Sequence, residues 1–298
     1  MTADLPEVDL AAATSFMATH ARVLDRRRFE LLLGQADVPS VLAAVDGYRN
    51  PDGGYGWGLE PDLRAPESQP GGALHAFEVF GEIAPVTTPH AVGLCDWLAS
   101  VSLPDGGVPF ALAIADSAGC APFWAEADPS VAALQSTAFV TAAALKVADP
   151  AVAAHPWLER ATAYCLRAIA EVDTAPHAIV LSFAVQFLDA AYDTHPEAAA
   201  LLDHLRKFVP ADGLVPVAGG AEGETLRALD FAPVPDRPAR TLFSPQVIES
   251  ELTRLADQQQ EDGGWRVDFD SYSPAAALEW RGYETVRAVS VLRRNQLI

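Results

Sequence analysis

The sequence predicts an all-α fold, an (α/α) toroid of five to six antiparallel helix pairs, and three observations carry that expectation. A glycine motif recurs four times: "PDGGYG" at 51, "PDGGVPF" at 104, a degraded "ADGLVP" at 211 and "EDGGWR" at 261. Each copy follows a helical pattern, ending near Tyr48, Ala99, Phe208 and Gln259, and precedes a polar loop that leads to another mostly apolar segment. No run of alternating Val, Ile, Thr and aromatic residues is long enough to propose a sheet.

Taken in order, the pattern predicts a first helix near 9–33, then pairs 38–49 with 70–83, 88–101 with 130–148, 155–171 with 176–192, and 246–260 with 275–295. Helix 196–208 has a weaker follower, "AEGETLRALDFAPVPDRPARTLF", whose three prolines suit an extended excursion. Asp-Gly-Gly suits a helix end, because glycine enters the left-handed region without a Cβ penalty and lets the chain turn back. Segments after the turns, such as "SVAALQSTAFVTAAAL", are rich in small residues and suit a crowded inner ring. No linker invites a split, so residues 1–298 read as one domain.

Half of the 298 residues are hydrophobic and the mean hydropathy is +0.12, enough to fill a sizeable core. Forty acidic against 20 basic residues leave −20, which opposes nucleic acid and anionic membranes and favours neutral or cationic partners. The start, "MTADLPEVDLAAATSF", has no basic residue ahead of an apolar run, so a cytoplasmic protein is expected. The longest uncharged stretches, Ser130 to Leu145 and Pro176 to Leu188, fall short of the roughly 20 apolar residues of a membrane span. Cys95, Cys120 and Cys165 occur singly, without ligand spacing, and read as packing residues.

"LADQQQEDGGWRVDF" resembles the Gln-x-x-x-Gly-x-Trp repeat of squalene and oxidosqualene cyclases, with Gln259 or Gln260, Gly263 or Gly264, and Trp265 at the matching positions. "GYRNPDGGYGWG" and "SLPDGGVPF" are similar to the looser glycine turns of the same superfamily, which includes protein prenyltransferase β subunits. The resemblance runs from about residue 37 to 295. It implies a toroid whose aromatic central cavity binds isoprenoid chains, and in proton-initiated members an Asp-x-Asp-Asp motif whose middle aspartate is the acid. In "VDFDSY", Asp268 and Asp270 match the first and middle acids, Ser271 replaces the last, and Pro274 follows where the family continues a helix. No cysteine has an aspartate two residues before it, so no zinc site is expected, and no Asp-Asp-x-x-Asp string supports metal-dependent prenyl transfer.

Independently of the resemblance, the first and last turns are followed at nearly the same offset by acid-x-acid pairs, Glu60 with Asp62 and Asp268 with Asp270. In a closed ring these four candidate catalytic acids would share a mouth walled by Tyr55, Trp57 and Trp265, with Arg64 beside them. Crowded carboxylates retain protons and make a general acid, or hold a hard cation such as Mg2+. Equally, Glu60 and Asp62 suit a helix cap or a pair with Arg64, and Asp268 a pair with Arg266. Trp280, Tyr283 and Glu284 complete the ligand-binding candidates; Trp280, Glu284 and Arg287 share a helical stripe, on which Glu284 and Arg287 also suit a surface ion pair. His75, spaced i,i+3 from Glu78, reads as a buried or cavity-lining polar residue, and Gln135 and Thr137 need partners if buried. The expected function is isoprenoid binding in an aromatic cavity with proton-initiated cyclisation by Asp270 or Asp62. The alternatives are a carbohydrate-active toroid, whose paired carboxylates and tryptophan platforms use the same residue types, and a non-catalytic binding protein on the same scaffold.

Overall fold

A computed structural model of the chain describes residues 7–298; the first six, part of the stretch read for a secretory signal, lie outside the described residues. The described residues are predominantly helical. In order they form α1 (Leu10–Thr19), α2 (Val23–Leu32), α3 (Val38–Asp46), α4 (Pro70–Glu82), α5 (Pro89–Val101), α6 (Pro122–Ala125), α7 (Leu134–Ala144) and α8 (Pro150–Ala153). Then follow α9 (Pro156–Ala170), α10 (Ala178–Ala191), α11 (Glu197–Arg206), β1 (Val215–Pro216), β2 (Thr225–Leu226), α12 (Ala228–Phe231), α13 (Pro245–Asp257) and α14 (Pro274–Arg294). Seven of these helices open on a proline, whose fixed φ suits the first turn and whose missing N–H is no loss there. Thr88, Ser244 and Ser273 add side-chain caps to α5, α13 and α14.

Two expectations are corrected. The first helix is broken into α1 and α2, because the Arg22 backbone turns extended and its guanidinium reaches the buried Asp25 carboxylate at 2.7 Å in the first turn of α2. The excursion after α11 is not free of strand: β1 and β2 pair antiparallel, Val215 opposite Leu226, before the short α12.

The chain divides into two compact units, Met1–Val41 with Val209–Ile298, and Leu42–Phe208. In the second unit α4, α7 and α10 pack side by side as one row, and α5, α9 and α11 as another laid against it. The small residues of α7 explain its place: Ser136 to Ala144 are all buried, with neighbours on three sides. Phe77, Phe80, Trp157 and Phe187 are fully buried around it. Thr137, the polar residue that needed partners, accepts the Val108 N–H at 3.0 Å and donates to the Ala133 carbonyl at 2.8 Å. In the first unit α14 lies against α1, α2 and α13, over a core that includes Phe16, Met17, Phe29, Leu255 and Trp265.

The three complete turns are built alike. The N–H two residues before the aspartate bonds the carbonyl two after it: Asn50 to Gly54 at 2.9 Å, Leu103 to Gly107 and Gln260 to Gly264 at 2.8 Å. Each aspartate accepts the N–H of the second glycine, at 2.9 to 3.1 Å for Asp52, Asp105 and Asp262. The two glycines serve different ends. The first holds the left-handed backbone, φ 94° at Gly53 and 91° at Gly263. The second, at ordinary φ, makes room for a packed side chain: a Cβ on Gly54 would lie 2.6 Å from Trp97, and on Gly264 2.8 Å from the Phe16 ring. In the degraded copy the second place is taken by Leu214, which is exposed, while Gly213 keeps φ 73°.

Candidate functional site

The loop leaving the first turn carries five of the predicted site residues, all in the second unit. Tyr55 is fully buried with its ring edge-on to Phe80; burial and the nearby Asp46 charge raise its phenol well above the ordinary value, and the hydroxyl has no hydrogen-bond partner among the described residues. Trp57 is 57% exposed and stands in the left-handed region at φ 58°. Arg64 runs along Gly58 and Gly119.

Glu60 and Asp62 are both buried, and Glu60 Oε1 accepts the Asp62 N–H at 3.1 Å. Glu60 Oε2 faces His75 Nε2 at 3.0 Å, and His75 Nδ1 faces Glu78 Oε2 at 3.0 Å. Burial disfavours charge on the imidazole, but Glu78 and Glu60 outweigh it and the pKa rises to about 9. At neutral pH His75 is therefore an imidazolium donating from both nitrogens, which ties the loop to α4.

In the first unit the last turn carries the other set. Trp265 is buried, with its indole N–H on the Leu255 carbonyl at 2.7 Å and its backbone N–H on Thr285 Oγ1 at 3.0 Å. Asp268 accepts from Gln258 at 2.8 Å and pairs with Arg254 at 3.1 Å and Arg266 at 3.0 Å. Partial burial works against its charge, yet those three donors hold the carboxyl below its usual range. Asp270 is exposed on an open cleft of about 700 Å³, whose lining includes Gln260, Asp262, Arg266, Phe269 and Arg281. Arg281 spans both oxygens of Asp262, at 2.9 and 2.7 Å.

Beside these, three rings form a chain. Phe269 meets Trp280 and Trp280 meets Tyr283 edge to face, with centroids 5.2 and 5.4 Å apart, and the Arg28 guanidinium lies 5.2 Å from the Tyr283 centroid. One residue on from Tyr283, Glu284 pairs with Arg287 at 2.7 Å, and Arg287 also meets Asp230 at 3.4 Å. Burial raises the Glu284 carboxyl pKa; Arg287 opposes the rise, and the charges of Asp230 and Asp268 add to it.

Thus Glu60 and Asp62 come together with His75 in one unit, and Asp268, Trp280, Tyr283 and Glu284 neighbour one another in the other. The partners Glu78 and Arg266 were legible as near neighbours in sequence. Glu60 with His75, and Asp268 with Arg254 and Gln258, join separate elements and left no local signal. Among the described residues no group of three or more His, Cys, Asp or Glu side chains is arranged to hold a metal ion, and no helix is long and apolar enough to cross a membrane. No protein-family model and no curated protein matches the chain.

Proposed function

We propose that the protein binds an isoprenoid-like apolar molecule, on helix-pair repeats that resemble those of terpene cyclases. The supporting observation is the aromatic chain Phe269, Trp280 and Tyr283, with the half-buried Glu284–Arg287 pair next in sequence on the same helix. Edge-to-face rings leave π surface suited to a prenyl chain or to a cation. Protonating an alkene also needs a carboxylic acid that keeps its proton away from water. Asp268 is held ionised by its guanidinium partners, Asp270 is open to solvent, and Glu284 is committed to Arg287. This favours binding without cyclisation.

A second reading rests on the cleft itself, which is open and sets Asp262 and Asp270 beside the Phe269 ring, carboxylates and an aromatic face being what a sugar site uses. One experiment separates the readings: calorimetric titration with neutral polyprenols, polyprenyl diphosphates with and without magnesium, and oligosaccharides, with mass spectrometry of any product. Polyprenols are expected to bind, Trp280→Ala to weaken them about tenfold, the equivalent of ~1.4 kcal/mol, and no product to form. A cyclised product lost in Asp270→Asn or Asp62→Asn would replace this proposal with the cyclase. Binding of oligosaccharides alone would replace it with the carbohydrate reading.

A further inference from the structure

We propose that the ligand held along the aromatic chain of α14 is an amphiphile whose head is a protonated amine, and that the Glu284 carboxylate receives this ammonium group. The inference rests on the apolar-ligand reading above and names the chemistry of the other end of the molecule. The residues concerned lie on one stretch of helix. Trp280, Glu284 and Arg287 stand at i, i+4 and i+7, so they share a face on which side chains of neighbouring turns are about 5–6 Å apart at Cβ. None of them is sealed off. Trp280 and Tyr283 are half-buried, and the side chains of Glu284 and Arg287 keep 14% and 30% of their surface in contact with solvent. The face is thus aromatic where Phe269 meets Trp280 and ionic one turn further on.

Glu284 has one oxygen to offer. Its Oε2 accepts the Arg287 Nε–H at 2.7 Å, while Oε1 has no hydrogen-bond partner among the described residues and, unlike the Tyr55 hydroxyl, is not withdrawn from solvent. The charge around it is also one cation short. Arg287 is shared with Asp230 at 3.4 Å; burial foremost, and then the charges of Asp230 and Asp268, disfavour the Glu284 carboxylate by more than Arg287 offsets. Asp268 adjoins Phe269 in the chain, and the Tyr283 phenol lies within electrostatic reach of Arg287, so rings and charges stand side by side. An ammonium head answers both features, donating to Oε1 and supplying the missing charge, and it suits the faces of Trp280 and Tyr283. A hydroxyl answers only the first. A diphosphate answers neither, because Arg254, Arg266, Arg281 and Arg287 are each set against a carboxylate. A bare metal ion needs several oxygen ligands at once, and no group of three acidic, His or Cys side chains is so arranged among the described residues. An alkylamine, like the lysine side chain with its pKa of about 10.4, is charged at neutral pH, and the chain's −20 charge draws it in.

The test is calorimetric titration of the full chain with farnesylamine, farnesol, farnesyl diphosphate and the N-trimethylated farnesyl ammonium ion. Farnesylamine is expected to bind about tenfold more tightly than farnesol, a difference of ~1.4 kcal/mol. The trimethylated ion, which has no N–H for Oε1, is expected to bind about tenfold more weakly than the primary amine. Glu284→Gln keeps the side-chain shape and leaves Arg287 its second carboxylate, Asp230. In that variant the preference for the amine is expected to vanish, with the affinity for farnesol unchanged. Asp257→Asn removes the same charge from an exposed position on α13 and is expected to leave the preference intact. Equal affinity for farnesol and farnesylamine, a preference that survives Glu284→Gln, or one lost equally in Asp257→Asn would overturn the ammonium head and leave the apolar-ligand reading standing. Should Glu284→Gln not fold, the native chain still decides: a trimethylated ion bound as tightly as the primary amine would overturn the role of Glu284. Binding of none of the four compounds would overturn the apolar-ligand reading and this inference with it.

Discussion

The first and last glycine turns share their hydrogen bonds, their left-handed glycine and their buried aromatic three residues beyond the aspartate, yet the acids that follow meet opposite fates. Glu60 and Asp62 are drawn inside, where His75 of α4 supplies an internal cation. Asp268 and Asp270 stay outside, the first against Arg254, Gln258 and Arg266, the second on the cleft. Local sequence sets the turn, and the neighbouring helix decides what the acids become. A buried pair with a fixed cation is a staple; an exposed pair beside aromatics is available for a ligand.

The sharpest way to break the comparison is at the shared glycine. In Gly263→Val the new side chain is both left-handed and driven into the Ala12 backbone, and a loss of roughly 4 kcal/mol is expected in urea unfolding. At Gly53 the nearest atom to a Cβ is the Gly93 carbonyl oxygen at 3.2 Å, so Gly53→Val should cost about half as much, chiefly the conformational penalty. Equal costs would mean that the two turns are interchangeable after all.

Next in size is His75→Gln, which removes the imidazolium that Glu60 and Glu78 share and should cost roughly 2–3 kcal/mol at neutral pH. Its pH profile is diagnostic. The folded pKa of about 9 lies above the unfolded value near 6.5, so the imidazolium contribution is complete below ~6.5 and is lost as pH rises through about 9. The variant should lack that alkaline loss; a parallel profile in both proteins would remove the staple from the account.

Tyr55 and Trp265 occupy the same place in their turns, but among the described residues Trp265 has a partner for its polar side-chain atom and Tyr55 has none. Tyr55→Phe should therefore stabilise the protein by about 1 kcal/mol, by removing a buried hydroxyl that bonds nothing. Destabilisation would mean that the hydroxyl does find a donor or acceptor in solution. Smallest is Asp268→Asn, a half-exposed group for which at most ~1 kcal/mol is expected, shrinking as salt is added. Its folded pKa lies below the unfolded one, so its contribution is present above ~3.9 and lost as pH falls through the folded value, the reverse of His75. A loss that salt leaves untouched would mean that the carboxylate is held by packing and not by charge.

The helices and turns were readable because their signals are local: prolines at helix starts, Asp-Gly-Gly at their ends, and apolar residues at helical spacing. The break at Arg22 was not, since it depends on a side chain bonding ahead to Asp25 in a stretch that is otherwise helical in pattern. Of the glycine pair, the sequence pattern explained the first member; the second answers to Trp97 or Phe16, which arrive from distant helices. For the acids the limit is the same. Asp268 beside Arg266 could be read from adjacency, whereas the internal cation that pairs with Glu60 lies 15 residues away on another element.

The side chain of Gln259 bonds the backbone of Asp9 in both directions, at 2.8 Å each, across a separation of 250 residues. In terms of folding order, the expectation is that the first unit assembles late. Its N-terminal piece, with Phe16, Met17 and Phe29, has to wait for α13, α14 and the last turn before its apolar face is covered, while the second unit is one continuous stretch with nearer partners. Pulse-labelling hydrogen exchange during refolding should find the amides of α7 protected before those of α1. Simultaneous protection would mean that closure across the 250 residues is no slower than assembly of the contiguous helices.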